Sequence, residues 1–244
     1  MDALTIAAAS GLRSRMQSLD LLANNLANTG TAGFKRDTEY YGLYNSDESS
    51  GSSGTSGLPV VERQWTDFSQ GSIQVTANPM DVALNGSGFL VVNGPSGPLY
   101  TRNGNLQVLP DGTLGTAQGY VLQDTGGNAI SVKPGQAVEI STDGSITQNG
   151  TAIGQLKVVD FKNPQSLSKL GNTLFQNADP QNLPVAPQAT QVQQGKIEGS
   201  NVPVAEAAMQ LVGVMRQFEM LQKAVGISSE MDTKSIQEVA RVGS

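Results

Sequence analysis

Near the N-terminus, the apolar residues Leu12, Met16, Leu19, Ala23 and Leu26 recur at alternating four- and three-residue spacing. At 100° per residue they fall on one narrow stripe, which predicts a helix over residues 1–30 with a coiled-coil seam. The opposite side carries Ser14, Gln17, Leu21, Asn24, Asn25 and Asn28, while Arg13, Arg15 and Asp20 lie on the flanks. A solvated helix face normally carries Lys and Glu, which favour helix and solubility. Asparagine is a weak helix former, and its short amide suits a buried polar contact that sets register. Both faces of this helix are therefore expected to meet protein.

The C-terminal region repeats the pattern. Val204, Ala208, Leu211, Met215, Phe218 and Val225 share one phase, with Gln222 interrupting it. Asn201 is expected to cap the helix, with Pro203 in its first turn, where a missing N–H costs nothing. Ala205, Ala207, Met209, Val212 and Val214 cover most of the remaining circumference, and no charge falls between Ala207 and Met215. A helix apolar nearly all round must be buried nearly all round. Two helices cannot bury each other's outer faces, and at roughly 40 and 55 Å they would be long enough to stand clear of the β domain. Partner helices are the expected cover, because Arg216, Glu219 and Lys223 argue against a membrane. Contacts made by two different faces of one subunit are heterologous and propagate into rings or filaments.

Between the helices the period changes. Short runs such as Gly88–Val92, Leu99–Thr101, Gly119–Leu122 and Gln155–Phe161 alternate with Asx-Gly pairs at 85–86, 93–94, 103–104, 111–112, 143–144 and 149–150. Such pairs accept the positive φ of tight hairpin turns, and their spacing predicts an antiparallel β domain. The fold class expected is thus α+β, mainly β, with long terminal helices pairing as a coiled coil. Residues 1–33 and 200–244 would form the helical layer and 68–199 the β domain. Residues 34–67 would be an extended connector holding a flexible Ser/Gly loop at 45–57.

Composition narrows the chemistry. The 244 residues include no cysteine and no histidine, which removes disulfides, thiolate sites, Ser-His-Asp catalysis and most zinc sites. A net charge of −6 without a basic cluster excludes an electrostatic nucleic-acid footprint. MDALTIAAAS lacks the basic start and long apolar run of a cleaved secretory signal. The rival reading is a secreted β-rich enzyme or sugar-binding protein whose helices form a closed oligomer. Peptidoglycan cleavage would need a recessed acid and a second carboxylate, for which Asp67, Asp81, Glu139 and Asp160 are available. Turn and surface roles explain those residues more simply. No catalytic, cofactor-binding or metal site is expected.

LLANNLANTGTAGFKR, at Leu21–Arg36, resembles the N-terminal signature of the bacterial flagellar rod and hook proteins. Asp67–Val92, Tyr100–Val108, Gly154–Phe175 and Gln194–Val225 are similar to rod-protein blocks in the same order. The resemblance implies a structural, torque-transmitting subunit of the basal-body rod in the periplasm, exported without a cleaved signal through the flagellar type III apparatus. Its partners would be copies of itself, other rod proteins and the export apparatus, with neither nucleic acid nor a membrane bound stably. By the same resemblance, Asn24, Asn25, Leu26, Ala27 and Asn28 belong to an inner-layer helix. Gly30 and Gly33 would close that helix, and Phe34 would start the outward connection. The subunit interface is then expected at Leu12, Met16, Leu19, Leu21, Asn24, Asn25, Leu26 and Asn28. Its second half would be Val204, Ala208, Leu211, Met215, Phe218 and Val225.

Overall fold

The structure, a computed structural model, describes residues 3–44, 58–171 and 173–242. The Ser/Gly segment at 45–57 lies outside the described residues. The chain divides into two compact units, one of Met1–Ala27, Asp37–Trp65 and Pro203–Ser244, the other of Asn28–Arg36 and Thr66–Val202.

In the first unit, helix α1 spans Ala3–Ala27 and helix α2 spans Val204–Val242. They pack against one another, and strands Asp37–Tyr44 and Leu58–Thr66 form a two-stranded sheet in the same unit. The start of α2 differs from expectation. The Pro203 carbonyl accepts the Ala207 N–H at 2.9 Å, so the helix begins one step after the proline, and the Asn201 amide is occupied elsewhere.

The second unit is antiparallel β, built around a six-stranded sheet. Its spatial order is Leu167–Leu170, Leu174–Asn177, Gly97–Thr101, Phe89–Gly94, Val158–Phe161 and Pro184–Val185. Both faces of the sheet are covered, which explains why Phe89–Val92 is apolar at every position rather than at alternate ones. Leu90, Val92, Leu99 and Leu174 face an aliphatic core shared with Leu84, Leu114 and Ile146. Phe89, Val91, Tyr100, Phe161 and Phe175 face an aromatic cluster in which Phe68 meets Phe89 edge-on at 5.5 Å and Phe175 at 5.1 Å. Gly119–Leu122 forms isolated bridges rather than a strand, and Gln155–Phe161 is broken at Leu156.

Late strands close this unit on early ones. Gln191–Gln194 pairs with Val82–Asn85, and Lys196–Glu198 pairs with Ile73–Val75. Glycines at 86, 112, 144 and 150 take the positive φ their turns require. Gly104 does not. A Cβ there would lie 1.5 Å from the Val82 carbonyl oxygen, so this glycine serves a close backbone approach instead.

Candidate subunit interface

The buried stripe of α1 is the polar one. Ser14, Ser18, Leu21 and Asn25 are buried, with Leu22 beside them, at the same alternating spacing as the expected seam but on the opposite side of the helix. Gly11 lies on the same side, where a Cβ would stand 3.7 Å from the Leu221 Cδ1 of α2, an ordinary van der Waals contact. The Ser18 hydroxyl donates to the Ser14 carbonyl at 3.0 Å. The expected seam is only partly covered: Leu12, Leu19 and Leu26 are half-buried, Met16 is 54% exposed, and Ala23 is exposed.

The asparagines divide. Asn25 donates through Nδ2 to the Asp37 carbonyl at 2.7 Å and accepts the Asp37 N–H at 2.9 Å, completing the backbone pairing of the strand start as another strand would. Asn28 accepts from the Thr31 N–H through its carbonyl and from the Thr31 hydroxyl through its side chain, both at 3.1 Å. Asn24 stays exposed. Replacing Asn25 by Ala should cost about 1–3 kcal/mol, because the Asp37 N–H and carbonyl both lose their partner. Thermal unfolding, together with faster exchange of the Asp37 amide, checks this. An unchanged amide would mean the pairing contributes nothing. Of the two helix-end glycines, Gly33 takes positive φ (69°), whereas Gly30 is exposed and is not among the positive-φ glycines. Phe34 is fully buried beneath the Lys169 ammonium, 4.3 Å from its ring centroid.

On α2, the less exposed residues run Ala207, Leu211, Val214, Phe218, Leu221 and Val225, a four-three alternation on the side of Leu221. Leu211, Phe218 and Val225 coincide with the expected seam. Ala208 is half-buried at the stripe's edge, and Val204 and Met215 are exposed at 55% and 46%. Roughly opposite, at about 160° around the helix, Met209, Val212, Met220, Ile227 and Met231 are 48–69% exposed. Ala208, Met209, Val212, Gly213 and Arg216 line a shallow groove of about 390 Å³, and a Cβ on Gly213 would meet nothing within 4 Å. The dense apolar cover of this segment was visible in the sequence, but its periodicity did not say which stripe stays outside.

Two family descriptions match the chain. Residues 83–148 match "Flagellar hook protein FlgE/F/G D1 domain" and residues 193–238 match "Flagellar basal body rod FlgEFG protein C-terminal". The FlgG rod protein of Buchnera aphidicola from Acyrthosiphon pisum is 31% identical over 251 positions, covering 91% of this chain and 94% of that one. The chain belongs to the flagellar basal-body rod protein family. FlgG of Agrobacterium fabrum is 30% identical, covering 95% and 97% of the two chains, and FlgF of Caulobacter vibrioides is 28% identical, covering 93% of each. For a rod protein the matched segments fall meaningfully: one lies inside the β unit, the other spans its closing strands and most of α2.

The family is structural, and the carboxylates of the rival reading have local duties. Asp81 accepts from Asn78 at 3.1 Å, and Asp160 accepts from Ser87 at 2.5 Å and from the Phe161 N–H at 2.8 Å. Glu139 is exposed. Asp67 takes the Arg36 Nε–H at 2.9 Å and the Ser69 N–H at 2.9 Å. Partial burial works against its charge, but the hydrogen bonds from Ser69 and the Arg36 guanidinium prevail and hold its carboxyl below the ordinary value. Among the described residues no group of acidic side chains could hold a metal ion, and no helix is long and apolar enough to cross a membrane.

Sequence reasoning missed one cluster altogether. Lys35, Arg102 and Glu198 are all buried. Lys35 Nζ donates to Glu198 Oε1 at 2.5 Å and to the Ser69 carbonyl at 2.6 Å. Arg102 donates to Glu198 Oε2 at 3.2 Å and lies over the Phe89 ring. Burial pushes the Lys35 ammonium and the Arg102 guanidinium below their ordinary values, with Glu198 pulling each back. Nothing local marks these residues, since their partners are distant in sequence.

Proposed function

We propose that the chain is a proximal-rod subunit, FlgF-like, that polymerises through its terminal helices in the periplasmic part of the flagellar basal body and helps transmit torque. The observation carrying this reading is that α2 keeps an apolar stripe exposed, and α1 one only half-covered, each opposite the stripe packed within the chain. Leu12, Met16, Leu19 and Leu26 on α1, and Met209, Val212, Met220, Ile227 and Met231 on α2, then meet helices of neighbouring copies and other rod proteins. The groove beside Gly213 receives a side chain from such a helix. The two stripes differ, so the contact is heterologous and open-ended, as a rod requires.

The FlgF-like assignment draws support from length. The alignment with FlgF of Caulobacter vibrioides runs 232 positions, whereas those with the FlgG proteins run 249–257, longer than the 244 residues of this chain. The FlgG relatives therefore carry segments this chain lacks. A distal-rod, FlgG-like position is the alternative. Passage through the flagellar export apparatus suits a chain without cysteine, whose helices gain their full cover only on assembly.

Segment-resolved amide exchange on the soluble chain and on isolated basal bodies tests polymerisation. Residues 204–242 should exchange faster than the β unit in the soluble chain and slow markedly in the rod, while the β unit is protected in both. Equal protection of both helices in a small closed particle would overturn the proposal.

A further inference from the structure

We infer that Lys35, Arg102 and Glu198 form a closure latch, which sets the three crossing segments of the β unit only after the end of that unit has arrived. The chain enters or leaves the unit before Asn28, after Arg36, before Thr66 and after Val202. Residues near the last three of these crossings converge on one carboxylate. Glu198 receives Lys35 through Oε1 and Arg102 through Oε2, and its Oε1 also accepts the Gly71 N–H at 2.9 Å. Its backbone carbonyl accepts the Gly33 N–H at 2.7 Å.

A second layer repeats the arrangement. The Asn201 side chain accepts the Arg36 N–H at 2.8 Å and donates to the Asp67 carbonyl at 2.8 Å, and the Asp67 N–H returns to the Arg36 carbonyl at 2.9 Å. The backbones touch: a Cβ on Gly71 would lie 2.1 Å from the Gly199 carbonyl oxygen, and one on Gly33 would lie 2.3 Å from the Asn103 nitrogen.

The charge balance makes the latch conditional. Two cations share one anion, and Arg102 Nε finds no hydrogen-bond partner among the described residues. A buried ionic triad is a weak source of stability compared with apolar side chains of the same size, but losing its one anion leaves both cations uncompensated and is severely disruptive. Lys35 and Arg102 both precede Glu198 in the chain. Until residue 198 is in place, burying them would strand two positive charges, so the crossing segments stay open. Once Glu198 arrives on the strand that pairs with Ile73–Val75, both cations are neutralised in part and the crossings lock together. Synthesis releases the chain N-terminus first, so this delays closure until nearly the whole β unit has emerged. The latch does not rest on the proposed function.

Pulse-labelled amide exchange during refolding of the full chain tests it. The Gly33, Gly71 and Gly199 amides, which donate to Glu198 or Ser72, should gain protection in one late phase, after Leu114 and Leu122 of the aliphatic core. In the native Glu198→Gln chain, those three amides should exchange at least about tenfold faster, while Leu114 and Leu122 keep their protection, as local opening predicts. Lys35→Met leaves a neutral Arg102–Glu198 pair and should keep the crossings protected, and adding it to Glu198→Gln should restore part of what that change loses. Crossing amides that close before the core, or that ignore Glu198→Gln, would overturn the latch. So would equal damage from Lys35→Met and Glu198→Gln. Should Glu198→Gln fail to fold, Lys35→Met and the refolding order decide alone. Motility is not a readout here, so failure of the latch leaves the rod assignment standing.

Discussion

A chain carrying Met220→Asp and Ile227→Asp is expected to stay folded in solution and to be missing from basal bodies, leaving cells non-motile. Both side chains lie on the exposed stripe of α2, at 62% and 59% exposure, so aspartate there is solvated in the free subunit and costs its fold little. In a helix-to-helix contact each aspartate would lose the apolar burial worth about 1.5–3 kcal/mol per side chain and would bring a carboxylate into a dry seam. Two such losses weaken each contact by a factor on the order of 10² to 10⁴, and a rod needs every contact along its length. Leu211→Asp provides the contrast. Leu211 lies on the inner stripe, so this change should undo the packing of α2 on its own side, which circular dichroism of the soluble chain would register. Normal swimming with the Met220 and Ile227 pair replaced would sink the outer stripe as an interface.

Gly104→Ala should be the most damaging single methyl group in the β unit. The added Cβ would sit 1.5 Å from the Val82 carbonyl oxygen and 2.6 Å from its carbon, both backbone atoms that no rotamer change can move. The Val82 N–H donates to the Gly104 carbonyl at 2.9 Å, so forcing the strands apart also strains this bond at the edge of the aliphatic core. Ordinary overpacking costs about 1–3 kcal/mol, and a clash with rigid backbone should exceed that range. Urea unfolding of the β unit measures it. Gly150→Ala is the comparator: φ is 75° but nothing lies within 4 Å of the new Cβ, so only the left-handed backbone cost of about 1–2 kcal/mol applies. If the two variants unfolded at the same denaturant concentration, the close approach at Gly104 would not be the reason for its glycine.

The contrast between these glycines shows where sequence reading stops. Asn103-Gly104 and Asn149-Gly150 look alike as dipeptides, and both were expected to turn the chain. Gly150 does so with positive φ, whereas Gly104 is needed because Val82, more than twenty residues earlier, passes against it. A local rule recognises a local conformation, and it carries no information about which remote strand will arrive.

The helices teach the same thing through a different cause. A four-three apolar spacing is enough to place α1 and α2, and both are found. Yet in α1 the stripe packed inside is Ser14, Ser18, Leu21 and Asn25, not the more apolar stripe of Leu12, Met16 and Leu19. Hydrophobicity would have turned the helix the other way. On the inner stripe the Asn25 amide completes the backbone pairing of Asp37, a contact no residue of the apolar stripe could make. Of the asparagines expected to make buried polar contacts, Asn25 and Asn28 are buried and Asn24 is exposed, and the partner of Asn25 lies in the same chain.

From the sequence alone came the two helices, the antiparallel β centre with its turns, the absence of thiol and imidazole chemistry, and the resemblance to rod proteins. All of these depend on periodicity, turn chemistry or residue inventory, which act over a few residues or over none. The tertiary structure decided which stripe of each helix stays outside, why Gly104 is glycine, and that Lys35 and Glu198, 163 residues apart, share one buried site with Arg102. Those outcomes depend on pairs of residues brought together only when late strands close on early ones, and the free energy of such a pair exists only in the folded chain.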